Sequence, residues 1–230
     1  MYAVKINIAG NINSSMVNAF TPVLDYIEGK KRIAALIMVI NSNGGDAVSS
    51  QLLFEKIDKI RKKKKVYSLI QGIGASGAYW LACASDRIYA LDTSIVGSIG
   101  IISIVPNIKK LLDALGIDIN IYKVGKHKDM LSPFSELDRA DEDLYMELIR
   151  DVYRKFYDSV KQRRNFSDEE MSTLANGQVF SAIMARKNRI IDEIGNYDRV
   201  VSDLNSELKR KVRIKEIRVK KSLLSRLLSS

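Results

Sequence analysis

The sequence predicts an α/β fold with a largely parallel sheet and flanking helices, and three observations carry this prediction. First, Ile33–Ile40 is a nearly continuous apolar run, as expected of a strand buried on both faces of a sheet. Second, this run and Val66–Ile70 each end in a glycine-containing turn that leads into a helical pattern. Third, a repeated strand–turn–helix order favours right-handed crossovers between parallel strands. In such sheets, functional groups gather at the carboxyl ends of the strands.

In the first hundred residues, each predicted element follows from its hydrophobic period. Alternation of apolar and polar residues indicates a strand, and apolar residues spaced three and four apart indicate a helix. The strands expected here are Ala3–Ile8, Ile33–Ile40, Val66–Ile70 and Arg87–Ala90, and the helices are one capped by Ser14 or Ser15, Ala47–Lys62 and Ala78–Ala84.

The second half of the chain is predicted to be mainly helical. Its longest pattern, Asp141–Arg163, places apolar residues at four-residue steps, and Ser167 with Glu170 forms the signature of a capping box. The other elements expected here are a segment entering a strand within 93–102, a helix over Asn107–Leu115, a strand over Ile117–Val124, a helix from Ala182 and a helix over Tyr197–Leu208.

Composition favours one domain over residues 1–230, with residues 209–230 as a basic amphipathic tail. The chain is 46% hydrophobic and 28% charged and has no Pro/Gly/Ser-rich linker, which is typical of a globular protein with a sizeable core. Its net charge of +10 is clustered mainly at Arg61–Lys65 and Lys209–Lys221. Neither cluster is interleaved with aromatic residues, so solvated helix ends with some attraction to a membrane surface are favoured over nucleic-acid binding.

The counts of cysteine and histidine restrict the chemistry. Cys83 is the only cysteine and is expected to be a small buried hydrophobe, so no internal disulfide forms. His127 is the only histidine, which excludes a multi-histidine zinc site, and we expect no metal and no cofactor. No run of 18 apolar residues is present, and the N-terminus is predicted to be a strand and not a signal peptide.

The stretch from Gln71 to Asp86 carries the strongest candidate for a reactive group. Three glycines and an alanine surround Ser76 between a predicted strand and a predicted helix. Small neighbours allow a sharp turn and the close approach of a ligand, and a helix N-terminus presents amide N–H groups to a developing negative charge. This is the geometry that a serine nucleophile needs. The same residues would also suit plain close packing of a strand on a helix.

A serine nucleophile needs a base, and the residues alone leave two kinds of base open. His127 is one, and Asp129 is the only carboxylate near it in the sequence. A desolvated lysine is the other, and Lys126 and Lys128 both follow the predicted Ile117–Val124 strand.

Four motifs occur in order along the chain, namely Asn-Ser-Asn-Gly-Gly at 41–45, Gly-Ile-Gly-Ala-Ser-Gly-Ala-Tyr-Trp at 72–80, Val-Gly-Ser-Ile-Gly at 96–100 and Lys-His-Lys-Asp-Met-Leu-Ser-Pro-Phe at 126–134. Together they resemble the signal peptide peptidase A family of Ser-Lys serine proteases, whose fold is related to Clp protease and crotonase. Order and spacing match across roughly Ala3 to Asn196. Departures include Asn43, where the family commonly has proline, and a degraded match at 188–192.

The resemblance implies a role for each matching residue. Ser76 would be the nucleophile, Lys128 the general base, and Ser98 the group that orients the lysine. An oxyanion hole would come from backbone N–H groups of Gly44, Gly45 and Gly77. The substrate would lie along four residues of small or apolar character, namely Gly72, Ile73, Gly74 and Ala75. His127 would take no part in the reaction.

The resemblance also implies a fold of repeated β-β-α units, homo-oligomers whose active sites are shared between protomers, and association with a membrane. The expected substrates are hydrophobic peptides, such as cleaved signal peptides, bound extended along a sheet edge. Two other functions remain open at this point. One is a crotonase-type acyl-CoA enzyme that uses the same oxyanion turn, and the other is a non-catalytic, membrane-associated scaffold.

Overall fold

The computed structural model describes residues 1–136 and 138–219, which form two compact units. The first unit comprises Met1–Gly100 together with the described residues from Phe156 onward, and the second comprises Ile101–Lys155. The prediction of a single domain with a tail stays a prediction. The apolar side chains expected on that tail, from Leu223 to Leu228, lie outside the described residues.

In the first unit, strands and helices alternate along the first hundred residues, and further elements follow from residue 168 onward. The elements up to residue 100 are β1 (Tyr2–Ala9), α1 (Ser14–Gly29), β2 (Ile33–Ser42), α2 (Ala47–Arg61), β3 (Lys65–Ala75), α3 (Gly77–Cys83), β4 (Arg87–Ala90) and β5 (Ile95–Gly97). The later ones are α6 (Asp168–Leu174), β6 (Val179–Ser181), α7 (Ala182–Lys187), β7 (Glu193–Ile194), α8 (Tyr197–Glu207) and β8 (Arg213–Glu216).

The second unit contains α4 (Lys109–Ala114) and most of α5 (Arg139–Arg164), whose residues from Phe156 belong to the first unit. Many apolar side chains of this unit are exposed. Ile102 and Ile104 are each more than 80% exposed, and Tyr122 and Val124 are more than 90% exposed. A protein of ordinary composition seldom leaves so many large apolar side chains in water.

The eight strands form one sheet in the order β6-β5-β3-β2-β1-β8, with β4 beside β3 and β7 beside β4. All neighbours are parallel except β5 and β6, so the predicted parallel sheet is confirmed. β3 changes partner along its length. Its first part pairs with β4 from Tyr67 to Ile70, and its last residues, Ile73–Ala75, pair with β5.

Helices α2 and α3 cover the sheet where β2 and β3 end. Every residue of α3 is buried, and Trp80 stacks on Phe156 with ring centroids 4.8 Å apart. Cys83 is 1% exposed, as predicted, and burial raises the pKa of its thiol to about 11. The capping box of Ser167 and Glu170 is also confirmed.

Helix α8 is fixed to the sheet by two hydrogen bonds from tyrosines to carboxylates. Tyr67 on β3 donates to Glu207, and Tyr89 on β4 donates to Asp203 over 2.9 Å. Both tyrosine side chains are fully buried among apolar residues, so their hydroxyl groups need these partners. Hydrogen bonds from Lys65 and Tyr67 lower the pKa of the Glu207 carboxyl group.

This attachment predicts a pH-dependent contribution to stability. A carboxyl group whose pKa is lower in the folded than in the unfolded chain stabilises the fold above its unfolded pKa, and this stabilisation is lost as the pH falls through the folded pKa. We expect Glu207→Gln to lower the free energy of unfolding at pH 7 by about 1 kcal/mol, since the amide keeps an acceptor but loses the charge. Urea titrations should show this difference shrinking below about pH 4.3, the usual pKa of glutamate. An undiminished difference at pH 2 would contradict the assignment.

Three details of the first unit differ from the predictions. Asn13, not Ser14 or Ser15, caps α1, because its side chain accepts a hydrogen bond from the Met16 N–H over 3.0 Å. The strand ending in the Ser76 turn continues past Ile70 to Ala75, since β5 supplies new pairing partners. The tail contributes a strand, β8, parallel to β1.

The predicted strand over Ile117–Val124 is wrong. Residues 117–124 have no strand partner within the described part of the chain, and Ile117, Ile119 and Ile121 are 40–47% exposed. The prediction rested only on alternating apolar residues. This pattern does not show whether a neighbouring strand is available for pairing. None of the helices in residues 1–136 and 138–219 combines the length with the apolar composition that crossing a bilayer demands.

Candidate active site

Ser76 lies at the junction of β3 and α3 in a strained backbone conformation. Its φ of 52° and ψ of −125° are sparsely populated for a residue with a side chain, and such a conformation costs about 1–3 kcal/mol. Two backbone hydrogen bonds hold it there. Its N–H donates to the Gly97 carbonyl over 2.8 Å, and its carbonyl accepts from the Trp80 N–H over 3.0 Å. The half-buried serine is therefore fixed at the tip of a sharp strand-to-helix turn.

The Gly44-Gly45 turn, which follows β2, packs directly against Ser76. A Cβ placed on Gly44 would lie 2.7 Å from the Gly77 nitrogen and 2.9 Å from the Ser76 Cβ. The backbone of Gly44 has a φ of +99°, a conformation that glycine adopts without steric cost. On the other side of the turn, a Cβ on Gly77 would lie 2.1 Å from the Ser50 Oγ. These contacts leave no room for side chains.

Of the backbone N–H groups around Ser76, some donate a hydrogen bond within the described residues and others do not. The Gly44 N–H donates to the Ser42 Oγ over 3.1 Å. By contrast, no hydrogen-bond acceptor among the described residues faces the N–H groups of Gly45 and Gly77. The Gly77 amide also lies in the first turn of α3, where helix geometry leaves N–H groups without an internal partner. Gly45 and Gly77 are therefore the better donors for an oxyanion than Gly44.

This packing predicts a large effect for Gly44→Ala. We expect the added methyl group to displace the Gly77 amide or the Ser76 side chain, and misplacement of about 1 Å costs roughly 100-fold in rate. Gly29→Ala is the matched control, because a Cβ at Gly29 meets nothing within 4 Å at the end of α1. The activity of the site should fall only in the Gly44 variant. Equal activity of both variants would argue against a close fit at this turn.

Ser98 lies in the same unit as Ser76. It directly follows Gly97, whose carbonyl accepts a hydrogen bond from the Ser76 N–H. Its φ of 53° is also in the left-handed region, and its N–H donates to the Gln178 carbonyl over 2.7 Å. β5 thus ends in a turn next to the one that carries Ser76, since Ala75 pairs with Gly97. The role of Ser98 as the residue that orients a lysine stays a prediction.

The four residues predicted to bind substrate, Gly72–Ala75, form the end of β3. The Gly72 N–H donates to the Ser94 Oγ over 3.3 Å, and the Ile73 N–H donates to the Asn41 Oδ1 over 3.0 Å. Gly74 pairs with Ser42 on β2 and with Val96 on β5. This segment therefore lies inside the sheet and not at its edge.

Lys128 belongs to the second unit, in a turn between residues 125 and 131. It is exposed, and its N–H donates to the Gly125 carbonyl over 3.3 Å. Within residues 101–136 and 138–155, its ammonium group has no hydrogen-bond or ion-pair partner. The structure thus brings together Ser76, Ser98 and the glycines in one unit, and Lys128 lies in the other.

His127 has a carboxylate partner that the sequence analysis missed. Its Nδ1 is hydrogen-bonded to the carboxylate of Asp141, which is 8% exposed. The expectation that only Asp129 could serve His127 was therefore wrong, because residues 14 positions away in the sequence meet when α5 begins beside the turn. Asp129 instead pairs with Lys123, which lowers the pKa of the Asp129 carboxyl group.

Two further residues support the site and were not singled out from the sequence. The Ser42 hydroxyl donates to the Gly10 carbonyl over 2.5 Å while it accepts from the Gly44 N–H, so it shapes the glycine turn. Ser50 donates to the Asp46 carbonyl over 2.8 Å at the start of α2 and fills the space opposite Gly77. In the sequence, the only signals that could have indicated these two residues were their positions, at the end of β2 and in the first turn of α2. In the described residues, no group of three or more His, Cys, Asp or Glu residues is close enough to hold a metal ion.

Comparison with curated proteins gives relatives over most of the chain. A protein of Methanocaldococcus jannaschii is 32% identical over 182 residues, which cover 79% of this chain and 58% of the relative. The chloroplastic serine protease SPPA of Arabidopsis thaliana is 28% identical over 195 residues, which cover 83% of this chain and 29% of that protease. The chain thus spans between about three tenths and three fifths of the length of these relatives.

Comparison with solved structures supports the fold. A mutant ClpP1 of Listeria monocytogenes matches with a TM-score of 0.59 at 16% identity, over 84% of this chain and 92% of that one. The fold is therefore Clp-protease-like, as the motifs implied. In addition, the family model described as "Peptidase family S49" matches residues 58–211, which include Ser76, Ser98 and Lys128. The chain belongs to peptidase family S49.

Proposed function

We propose that the chain is a serine endopeptidase that cleaves hydrophobic peptides, such as remnant signal peptides, with Ser76 as nucleophile and Lys128 as general base. The observation that carries the proposal is the position of Ser76. In a chain of peptidase family S49, this serine occupies a strained turn at the start of a buried helix, with an all-glycine turn packed against it. Strained residues of this kind concentrate at functional sites.

In the proposed acylation step, the Ser76 Oγ attacks the carbonyl carbon of the scissile peptide bond. The proton of the hydroxyl group passes to the neutral amine of Lys128, and the carbonyl oxygen becomes an oxyanion that accepts hydrogen bonds from the Gly45 and Gly77 amides. Collapse of the tetrahedral intermediate breaks the C–N bond, and Lys128 gives its proton to the leaving amine. The product of this step is an ester between Ser76 and the acyl part of the peptide.

Deacylation uses the same groups with water as nucleophile. The Lys128 amine takes a proton from water as the oxygen attacks the ester, and it returns that proton to the Ser76 Oγ as the C–O bond breaks. A lysine can act in this way only when apolar surroundings remove the hydration of its ammonium form. We assign Ser98 the task of accepting or donating a hydrogen bond that keeps the amine directed at Ser76.

The proposed substrate class follows from the residues that precede Ser76. Gly72–Ala75 contain no charged or hydroxyl-bearing side chain, and Gly72 and Ile73 are partly exposed. Because β2 and β5 pair with this segment on both sides, a peptide would contact it through Gly72 and Ile73 and not as an added strand, and there it gains most by burying apolar atoms. We therefore expect small or apolar residues at the cleavage position and poor cleavage of charged ones.

We further propose that the protein works as a homo-oligomer in which Ser76 of one protomer is served by Lys128 of a neighbour. The exposed apolar side chains of the second unit, among them Ile102, Ile104 and Tyr122, support an association that covers them. Membrane contact remains part of this proposal, since hydrophobic peptide substrates are concentrated at membranes.

Mixed oligomers test the sharing of sites. Co-expression of Ser76→Ala and Lys128→Ala chains in equal amounts should restore about a quarter of wild-type peptide hydrolysis, because one site in four receives both an intact serine and an intact lysine in a ring of identical contacts. Each variant alone is the control and should retain at most about 1% of wild-type hydrolysis. Inactive mixed oligomers, with a size equal to that of the wild type in light scattering, would contradict sharing between protomers.

A further inference from the structure

The turn that carries Lys128 is fixed by the two residues on either side of that lysine. His127 is hydrogen-bonded through Nδ1 to the carboxylate of Asp141. Asp129 forms an ion pair with Lys123, whose ammonium group also donates to the Lys126 carbonyl over 3.0 Å. Within the described residues of this unit, the Lys128 ammonium group itself has no such partner. The lysine therefore lies between two anchored neighbours.

The carboxylate that holds His127 is itself firmly placed. Asp141 is the third residue of α5, and its N–H donates to the Asp138 Oδ1 over 2.8 Å in the manner of a helix cap. Its side chain is 12% exposed. A carboxylate in the first turn of a helix is also favoured by the unpaired N–H groups there. The His127 ring is thus attached to a long helix and not to another part of the same loop.

Backbone hydrogen bonds within the turn connect Lys128 to its anchored neighbours, His127 and Asp129. The Met130 N–H donates to the His127 carbonyl over 3.3 Å, and the Ser132 N–H donates to the Asp129 carbonyl over 2.8 Å. Together with the bond from the Lys128 N–H to Gly125, they leave the backbone of the turn little freedom. An amine at the end of a four-carbon chain reaches a defined point only if its backbone is fixed in this way.

We propose that His127 is a positioning residue for Lys128, and that it acts through its hydrogen bond to Asp141. The inference rests on the proposed function, because it assumes that Lys128 is the general base. His127 transfers no proton to or from the substrate in this account. Its imidazole holds the turn so that the lysine amine keeps the orientation that the reaction needs.

Asparagine tests this role, since its side-chain amide can place an N–H donor near the position of the histidine Nδ1. We expect His127→Asn to keep kcat within about threefold of wild type, whereas His127→Ala should lower kcat by about 10–100-fold at an unchanged KM. Asp141→Asn, which keeps an acceptor, should behave like His127→Asn. If thermal unfolding shows that His127→Ala is not folded, His127→Leu takes its place in the comparison, because leucine keeps the bulk of the ring.

Three results would overturn the positioning role. One is wild-type kcat in His127→Ala, and another is a loss of kcat in His127→Asn as large as in His127→Ala, which would make the imidazole a proton carrier. The third is a double variant, His127→Ala with Asp141→Ala, whose fold loss in kcat equals the product of the two single fold losses. Residues that act as one unit should give a smaller loss than that product. Full activity of Lys128→Ala is a separate outcome, which would refute the proposed function itself.

Discussion

Ser76→Ala is expected to abolish peptide hydrolysis, with kcat reduced by about 10⁴-fold or more. The reason is chemical, since alanine has no oxygen that can form the ester, and the remaining amides can only polarise the carbonyl group. The turn itself should survive, because Ser76 is held by its backbone N–H and carbonyl groups and its side chain makes no capping hydrogen bond. Release of a fluorophore from a hydrophobic peptide substrate measures the effect.

Ser172→Ala is the matched control for this experiment. Ser172 lies on α6, and its hydroxyl donates to the Glu169 carbonyl over 2.7 Å. Its loss should leave hydrolysis unchanged. Activity of Ser76→Ala within tenfold of wild type, in protein free of contaminating peptidase, would show that another nucleophile carries the reaction. Hydrolysis of an acyl-CoA thioester in place of the peptide would favour a crotonase-type enzyme, and absence of both activities in the wild type would favour a scaffold.

Lys128→Ala is expected to lower kcat by about 10²–10⁴-fold, the usual contribution of a general base. Lys128→Arg should be equally impaired, because a guanidinium group stays protonated at any pH that the fold tolerates and cannot accept the serine proton. This pair of variants separates a need for a base from a need for positive charge. The measurement is kcat on the same peptide substrate, from about pH 6 to pH 10.

Lys126→Ala provides the control for the lysine series, since Lys126 lies two positions away in the same turn and has its carbonyl, not its side chain, bound by Lys123. It should hydrolyse peptide at close to the wild-type rate. If Lys126→Ala loses activity and Lys128→Ala retains it, the dyad has been assigned to the wrong lysine. If Lys128→Arg is fully active, charge and not basicity is what the site requires.

Much of the fold could be predicted from the sequence because its central elements are strongly periodic. The apolar runs of β2 and β3 and the four-residue steps of α5 each indicate one kind of element. The strand over residues 117–124 was predicted wrongly and β8 was missed, and both errors have the same cause. Whether such a segment forms a strand depends on a distant partner, as β8 has in β1, and local pattern does not report it.

The candidate site was predictable to a similar extent. Glycines around Ser76 indicated a tight turn, and a Cβ added to Gly44 would lie 2.7 Å from the Gly77 nitrogen, so the Gly44-Gly45 turn is its neighbour. The roles assigned to Gly44, Ser98 and Lys128 stay predictions. The partner of His127 could not be found in this way. Asp141 lies in a helix that begins 14 residues later in the sequence, and only the folded chain of the second unit brings the two side chains together.

The most direct test of the central claim is the site and rate of covalent labelling by a serine-directed phosphonate. We expect a single adduct on Ser76 in the wild type, mapped by mass spectrometry of peptides, with hydrolysis lost in proportion to labelling. We also expect Lys128→Ala to slow this labelling by about 10²-fold or more, because the base that activates the serine is missing. An adduct on another residue with loss of activity, or labelling of Ser76 at the wild-type rate in Lys128→Ala, would contradict a Ser76–Lys128 dyad.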